Sequence, residues 1–269
     1  MRVDLHNHTI HSDGVLTPQE LLNRAIKNNV DIFALTDHDS VFGDDEIYEL
    51  SKETNVRIIK GLELSTYYKG ESVHVVCLFK DNVIPPLMYK FSKDVLEARK
   101  ERATKMMSLI HEIYHLEYDM DELIKESEVI TRANMMRHLA KHNNLTLKEA
   151  SKYICNESKA YIPSTKLPVE DGLKLAREAG CFCIFAHPCL IKNQEYVEEI
   201  LQYGFDGIEV RYPSKKNDEA HFRELAKKYN LIPSAGSDCH GDETHADIGT
   251  CTLNEEEFRP LAERLNFKL

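Results

Sequence analysis

The chain repeats one unit: a short apolar run, then a histidine or an acid, then an amphipathic helical pattern. Val3 to Leu5 leads into His6-Asn7-His8, Asp31 to Leu35 into Thr36-Asp37-His38-Asp39, and Val56 to Ile59 through Gly61 into Glu63. After a long break the unit returns. Cys181 to Phe185 ends at Ala186-His187-Pro188, Gly207 to Val210 at Arg211, and Leu231 to Ala235 at Gly236-Ser237-Asp238-Cys239-His240. The helices carry their own punctuation. Thr17-Pro18-Gln19-Glu20 is a capping box with proline at the first helical position, Asn254 and Glu257 cap a last helix, and Gly180 and Gly204 stand where helices should stop. Apolar runs too short to be helices, joined by amphipathic helices, specify strands covered on both faces. The pattern predicts an α/β fold with about seven strands in a barrel-like closed sheet, its site built at the strand ends. His74 sits awkwardly, because it opens its run, Val73 to Leu78, and does not close it. That predicts a strand that begins earlier or runs antiparallel.

Residues 86–162 break the rhythm. They show no strand pattern but several helical ones, through Phe91, Val95, Arg99, Arg102 and Met106, then Met135, Met136 and Leu139, then Ala150, Tyr153 and Ile154. The expectation is a small helical subdomain inserted into a barrel made of residues 1–85 and 163–269, overhanging the site. Met106, Met107 and Ile110 read as its packing face.

A net charge of -11 argues against nonspecific binding to long duplex nucleic acid, which needs a broad basic surface. The charge is uneven: residues 86–162 carry 13 Lys and Arg against 12 Asp and Glu, so anion-binding arginines are expected there. No apolar run approaches a membrane span and no signal-peptide pattern precedes the first strand, which predicts a cytoplasmic protein with no membrane partner. Seven cysteines without a Cys-x-x-Cys read as reduced thiols, Cys181 and Cys183 among them within an apolar strand.

The strand-end groups are His6, His8, Asp13, His38, Glu63, His74, His187, Asp238 and His240. His6 and His8, two apart on an extended segment, share one side of the chain and form a chelating pair. Each group alone has an ordinary explanation, as a turn histidine or a helix cap; their recurrence at one structural position does not. Four ligands saturate zinc and six an octahedral manganese, so this set predicts two or three ions sharing carboxylates. Imidazole and carboxylate without thiolate suit Mn, Fe or Zn. Cys239, between two ligands on extended backbone, should face the other way.

The order HxH, SDG, TDH, GLE, H, AHP and GSDxH, from His6 to His240, resembles the polymerase and histidinol phosphatase (PHP) superfamily of metal-dependent phosphoesterases. The resemblance implies a distorted seven-stranded α/β barrel with three divalent metal ions. It places His6, His8, Glu63 and Asp238 on one ion, Asp13, His38 and His240 on a second, and Glu63 as bridge with His74 and His187 on the third. Three such ions and three carboxylates would leave a charge of about +3, suited to a phosphate dianion. The implied nucleophile is a metal-activated hydroxide, and the proton donor is left unassigned.

Within the superfamily, Ala98-Arg99 with Arg102, Thr131-Arg132, and Tyr161-Ile162-Pro163 resemble the subgroup acting on 3',5'-bisphosphonucleosides or on the 5' end of RNA. A motif that usually reads Gly-Arg-Pro-His is here Thr131-Arg132-Ala133-Asn134, which keeps the arginine and loses the histidine. An arginine fork can take two phosphate oxygens; Arg132 is the first choice for a phosphate clamp, with Arg99 and Arg211 behind it. The expectation is therefore a phosphoesterase acting on a nucleotide, a short oligonucleotide or another phosphorylated small molecule. A histidinol-phosphate phosphatase is the alternative within the class, and Asp13, where that branch often carries histidine, leans against it. A noncatalytic PHP module for structure or protein contact is the alternative outside it, and no expected ligand is missing. A C–N hydrolase is a less natural match.

Overall fold

In the computed structural model, which describes residues 1–126, 129–163 and 166–269, the apolar runs become the strands of one curved sheet. Strands β1 (Val3–Asp4), β2 (Ile32–Leu35), β3 (Arg57–Tyr68), β4 (Glu71–Leu78), β6 (Phe182–Phe185), β7 (Gly207–Arg211) and β8 (Ile232–Ala235) lie side by side in that order. A two-residue strand, β5 (Leu167–Pro168), joins the far end of β3. Backbone bonds close the ring: Leu5 N–H donates to Ala235 O at 3.0 Å, Asp238 N–H to His6 O at 2.9 Å and His8 N–H to Cys239 O at 2.8 Å. The sheet is thus a nearly closed barrel of seven strands.

Strand alternation divides the apolar residues between two sides. In β2, Ile32 and Ala34 pack with Val3, Leu5, Ile59 and Phe258, while Phe33 and Leu35 pack under α1 (Pro18–Lys27) and α2 (Asp44–Ser51). Helices α7 (Val169–Glu178), α8 (Glu195–Leu201) and α9 (Glu219–Lys228) cover β3, β4, β6 and β7 through a second outer cluster that includes Leu64, Val75, Phe185 and Ile208. Helix α10 (Glu255–Leu265) packs Phe258, Leu261 and Leu265 against the inner cluster. The capping boxes at Thr17–Glu20 and Asn254–Glu257 are both formed.

β4 is antiparallel to β3 and to β6, whereas β2–β3, β6–β7 and β7–β8 are parallel. This accounts for His74. The start of an antiparallel strand lies at the same end of the barrel as the finish of its parallel neighbours, and Ser65 pairs with His74 there. β3 runs to Tyr68, well past Glu63, so Glu63 is not at a strand end: β3 and β4 form a long hairpin turned at Lys69-Gly70.

Between β4 and β5 the described residues hold helices α3 (Pro86–Tyr114), α4 (Met120–Glu126), α5 (Arg132–Asn143) and α6 (Leu147–Ile154), and no strand. They share their own apolar cluster, in which Met106, Met107 and Ile110 are fully buried with Met135, Leu139 and Ala150.

Candidate metal centre and the cleft above it

All nine candidate ligand groups, Glu63 included although it lies inside β3, converge at one mouth of the barrel. His6 Nε2 and His8 Nε2 stand 3.2 and 3.3 Å from Glu63 Oε2, and 3.5 and 3.0 Å from Asp238 Oδ1. His240 Nε2 is 3.2 Å from Asp13 Oδ1, and His38 Nε2 is 3.7 Å from Asp13 Oδ2. Glu63 is the hub. Its Oε2 also meets His38 Nδ1 at 2.9 Å, while Oε1 meets His74 Nδ1 and His187 Nε2, each at 2.9 Å. His6, His8, Glu63 and Asp238 form one ligand-spaced group, His8, Asp13, His38 and His240 a second, and His38, Glu63 and His74 a third.

These residues suit divalent ions better than they suit one another. His6 Nε2, His8 Nε2, Asp13 Oδ1, His38 Nδ1 and Glu63 Oε2 are buried without a hydrogen bond of proper geometry, and buried polar atoms in this state require a partner. Without metal the cluster balances its charge with protons. Burial pushes the His38 and His240 imidazoles down, but Glu63 and Asp13 lift His38 to about 9, and Asp238 and Asp13 lift His240 to about 10. Burial raises Glu63 and Asp238, yet the surrounding imidazoles hold both well below the usual carboxylate range. At His74 burial wins over Glu63 and takes the ring down to about 4, leaving it neutral.

An outer ring of side chains fixes these groups. Asp37 accepts from Thr9 N–H at 2.7 Å and Ser12 Oγ at 2.6 Å, which shapes the loop carrying Asp13. Asp4 does the same for the Asp238 loop, accepting from Ser237 N and Oγ and from Gly249 N–H; burial lifts it to about 6 despite these donors. Tyr212 donates to Asp238 Oδ2 at 2.8 Å. Cys239 turns into the cluster beneath α1, although the backbone before it is not extended: Asp238 has φ 52°. His11 stands 3.6 Å from Glu46.

A cleft of about 520 Å³ is lined both by Asp13, His38 and His74 of the metal groups and by Arg99, Arg102, Arg132 and Lys166. Arg99 is braced by Asp39 and by Ser65 Oγ at 3.2 Å. Arg102 donates to Ile162 O at 2.8 Å and lies over the Tyr161 ring, while Arg132 reaches Asn156 Oδ1 at 2.9 Å. Lys166 donates to Ser72 Oγ at 2.7 Å; burial, with Arg99 and Arg132 nearby, brings its amine down to about 8 against the pull of Asp39. Arg211 is elsewhere. Its guanidinium is taken by Glu219 at 2.8 Å and Glu257 at 3.2 Å and does not line the cleft, so its expected place in a phosphate clamp is corrected.

Lys166, Tyr212, Asp4 and Glu209 were not legible as site residues. A charged residue inside the apolar run Gly207 to Val210 was the available signal for Glu209; nothing in its sequence surroundings marks Lys166. A further group, Glu122, His138 and His142, has ligand spacing on α4 and α5. Its partners are already assigned: His138 Nε2 accepts from Asp119 N–H at 3.0 Å, His142 meets Glu122 at 2.7 Å and Lys141 occupies Glu122 and Glu126.

A PHP domain model matches residues 4–203. The chain belongs to the PHP family. This PHP protein is 30% identical over 281 residues to the 3',5'-nucleoside bisphosphate phosphatase of Chromobacterium violaceum, covering 99% of this chain and 97% of that one. It is 28% identical over 248 residues to a 5'-3' exoribonuclease of Haemophilus influenzae, covering 89% and 90%. A solved structure from Bifidobacterium adolescentis, described as a metal-dependent phosphoesterase, superposes with a TM-score of 0.85 at 22% identity, covering 97% and 96%, and matches the fold. The chain is a metal-dependent phosphoesterase, a phosphoric ester hydrolase. No helix among the described residues is long and apolar enough to cross a membrane.

Proposed function

We propose that this protein hydrolyses a phosphate ester of a nucleotide carrying two phosphates, a 3',5'-bisphosphonucleoside or the 5' end of a short oligonucleotide. One observation carries the reading: Arg99, Arg102, Arg132 and Lys166 line the same cleft of about 520 Å³ as Asp13, His38 and His74 of the metal-ligand groups. Arg99 is paired with Asp39, but Arg102, Arg132 and Lys166 bond only neutral oxygens among the described residues, and a second phosphate supplies their counter-charge. The names of the two curated relatives support the same substrate class. An amide or a phosphate monoester as small as histidinol phosphate gives the cationic wall less to hold.

In this reading three divalent ions occupy the site, with His6, His8, Glu63 and Asp238 on one, Asp13, His38 and His240 on another, and Glu63, His74 and His187 on the third. When bound, such ions supply Lewis-acid polarisation of the phosphoryl oxygens and a hydroxide nucleophile at neutral pH. The chain does the rest. Arg132 and Arg102 fork onto the distal phosphate, Arg99 is held at its angle by Asp39 and Ser65, and Lys166 adds charge beside them. Residues 86–162 act as an inserted helical subdomain that brings three of these four cations over a barrel of residues 1–85 and 163–269.

The test is phosphate release by manganese-reconstituted protein from 3',5'-bisphosphoadenosine, 5'-phosphorylated short RNA, histidinol phosphate and an aryl phosphate. The first two should be turned over with the higher kcat/KM, and Arg132→Ala should raise KM for them selectively. Equal turnover of the aryl phosphate, unchanged by Arg132→Ala, would sink the proposal.

A further inference from the structure

Glu209 is an acid in the middle of an apolar strand, 2% exposed, and among the described residues its oxygens meet no arginine or lysine. Its neighbours on β7, Ile208 and Val210, pack in the outer cluster, so alternation sends Glu209 inward. There each oxygen faces one nitrogen. Oε1 lies 3.4 Å from His6 Nδ1, and Oε2 accepts from the backbone N–H of His187 at 2.6 Å. His187 holds left-handed backbone, φ 32° and ψ 57°. The fit is close: a Cβ at Gly236 would come 2.2 Å from His6 Cβ and 2.6 Å from Glu209 Oε1. The other face of His6 presents Nε2 to Glu63 and Asp238, and His187 presents Nε2 to Glu63.

We infer that Glu209 is a positioning residue beneath the metal centre, fixing the Nδ1–H tautomer of His6 and the backbone of His187 so that both offer Nε2 to metal. The inference rests on the metal-site reading above. A neutral imidazole ligates through the nitrogen that carries no proton, so a carboxylate accepting at Nδ1 leaves Nε2 free. Glutamine cannot reproduce this. With Oε1 turned to the His187 N–H, its amide NH2 must face His6 Nδ1 as a donor, and the proton is driven to Nε2, the ligand atom. Turned the other way, the NH2 opposes the His187 N–H, donor against donor.

The experiment compares wild type and Glu209→Gln by manganese titration with metal analysis, and by 15N NMR of histidine-labelled, zinc-loaded protein. Wild type should show a proton on His6 Nδ1. In the variant His6 should leave the metal with its proton on Nε2, one manganese binding roughly 10- to 100-fold more weakly and the far-UV spectrum being retained. A purely structural role would leave the tautomer where it is. Unchanged manganese uptake in the variant, or a wild-type His6 without a proton on Nδ1, would overturn the inference; the second result decides even where the variant does not fold. A wild-type protein that takes up no manganese would remove the metal reading as well.

Discussion

Glu63 offers two oxygens to five imidazoles, and most of the centre's properties follow from that crowding. Asp13 is the counterpart whose removal separates chemistry from folding, because it sits in a loop and its carboxylate faces His38 and His240. Asp13→Ala should lower turnover by at least about 100-fold, more than the loss of an outer-shell partner costs, while circular dichroism stays that of the wild type. Activity surviving the change would remove Asp13 from the catalytic centre. The protons in the metal-free centre give a second expectation. His38 is lifted to about 9 and His240 to about 10 from an ordinary value near 6.5, so at neutral pH both hold protons at the positions proposed to take a metal. Metal uptake therefore expels protons, and affinity should climb from pH 6 toward pH 9, about tenfold per pH unit for each proton displaced. Manganese calorimetry at several pH values, in buffers of different ionisation enthalpy, measures both effects. Affinity flat across that range would mean that the two rings are neutral without metal.

Helix α5 shows how an element can be read in sequence while its job is not. Thr131 and Asn134 form its capping box, with Asn134 Oδ1 accepting from Thr131 N–H at 2.7 Å, and Asn134 Nδ2 crosses to the Ser12 carbonyl at 3.2 Å. Arg137, one turn on, donates to Asp13 O at 2.8 Å. Asn134, which stands where the usual motif has histidine, thus ties the helical segment to the loop that carries Asp13. Asn134→Ala should cost about 1–2 kcal/mol, seen as a fall in thermal midpoint, and should weaken metal binding in the same variant; a wild-type midpoint would show the tie to be idle. Helix starts, apolar strands and strand-end ligands were legible because each is written in local spacing. The length of β3 was not, since Glu63 reads equally as the end of a strand or the middle of a hairpin arm. Arg211 looked like a clamp because it closes a strand, but Glu219 and Glu257, 8 and 46 residues on, arrive in space to claim it. Lys166 enters the cleft only because β5 pairs with the far end of β3, a long-range fact with no local trace.

For the molecule as a whole, the candidate metal centre lies across the seam of the barrel. β1 and β8 are not joined by a long ladder; they meet through bonds such as Asp238 N–H to His6 O and His8 N–H to Cys239 O, made by the loops that carry the ligands. Metal shared by His6, His8 and Asp238 would therefore also fasten the seam. The ladder between β2 and β3, four paired residues long and covered on both faces, does not depend on it. Metal should stabilise the fold by about 2.7 kcal/mol for each site held at a hundred times its Kd. Hydrogen exchange with and without chelator locates that stabilisation. On chelation the amides of His8 and Asp238 should exchange faster by a factor that follows metal affinity, while those of Phe33 to Leu35 keep their protection, because the seam can open without the parallel ladder. Equal acceleration at both places would mean that the metals stabilise the barrel only as a single cooperative unit; no acceleration at the seam would mean that its backbone bonds hold without them.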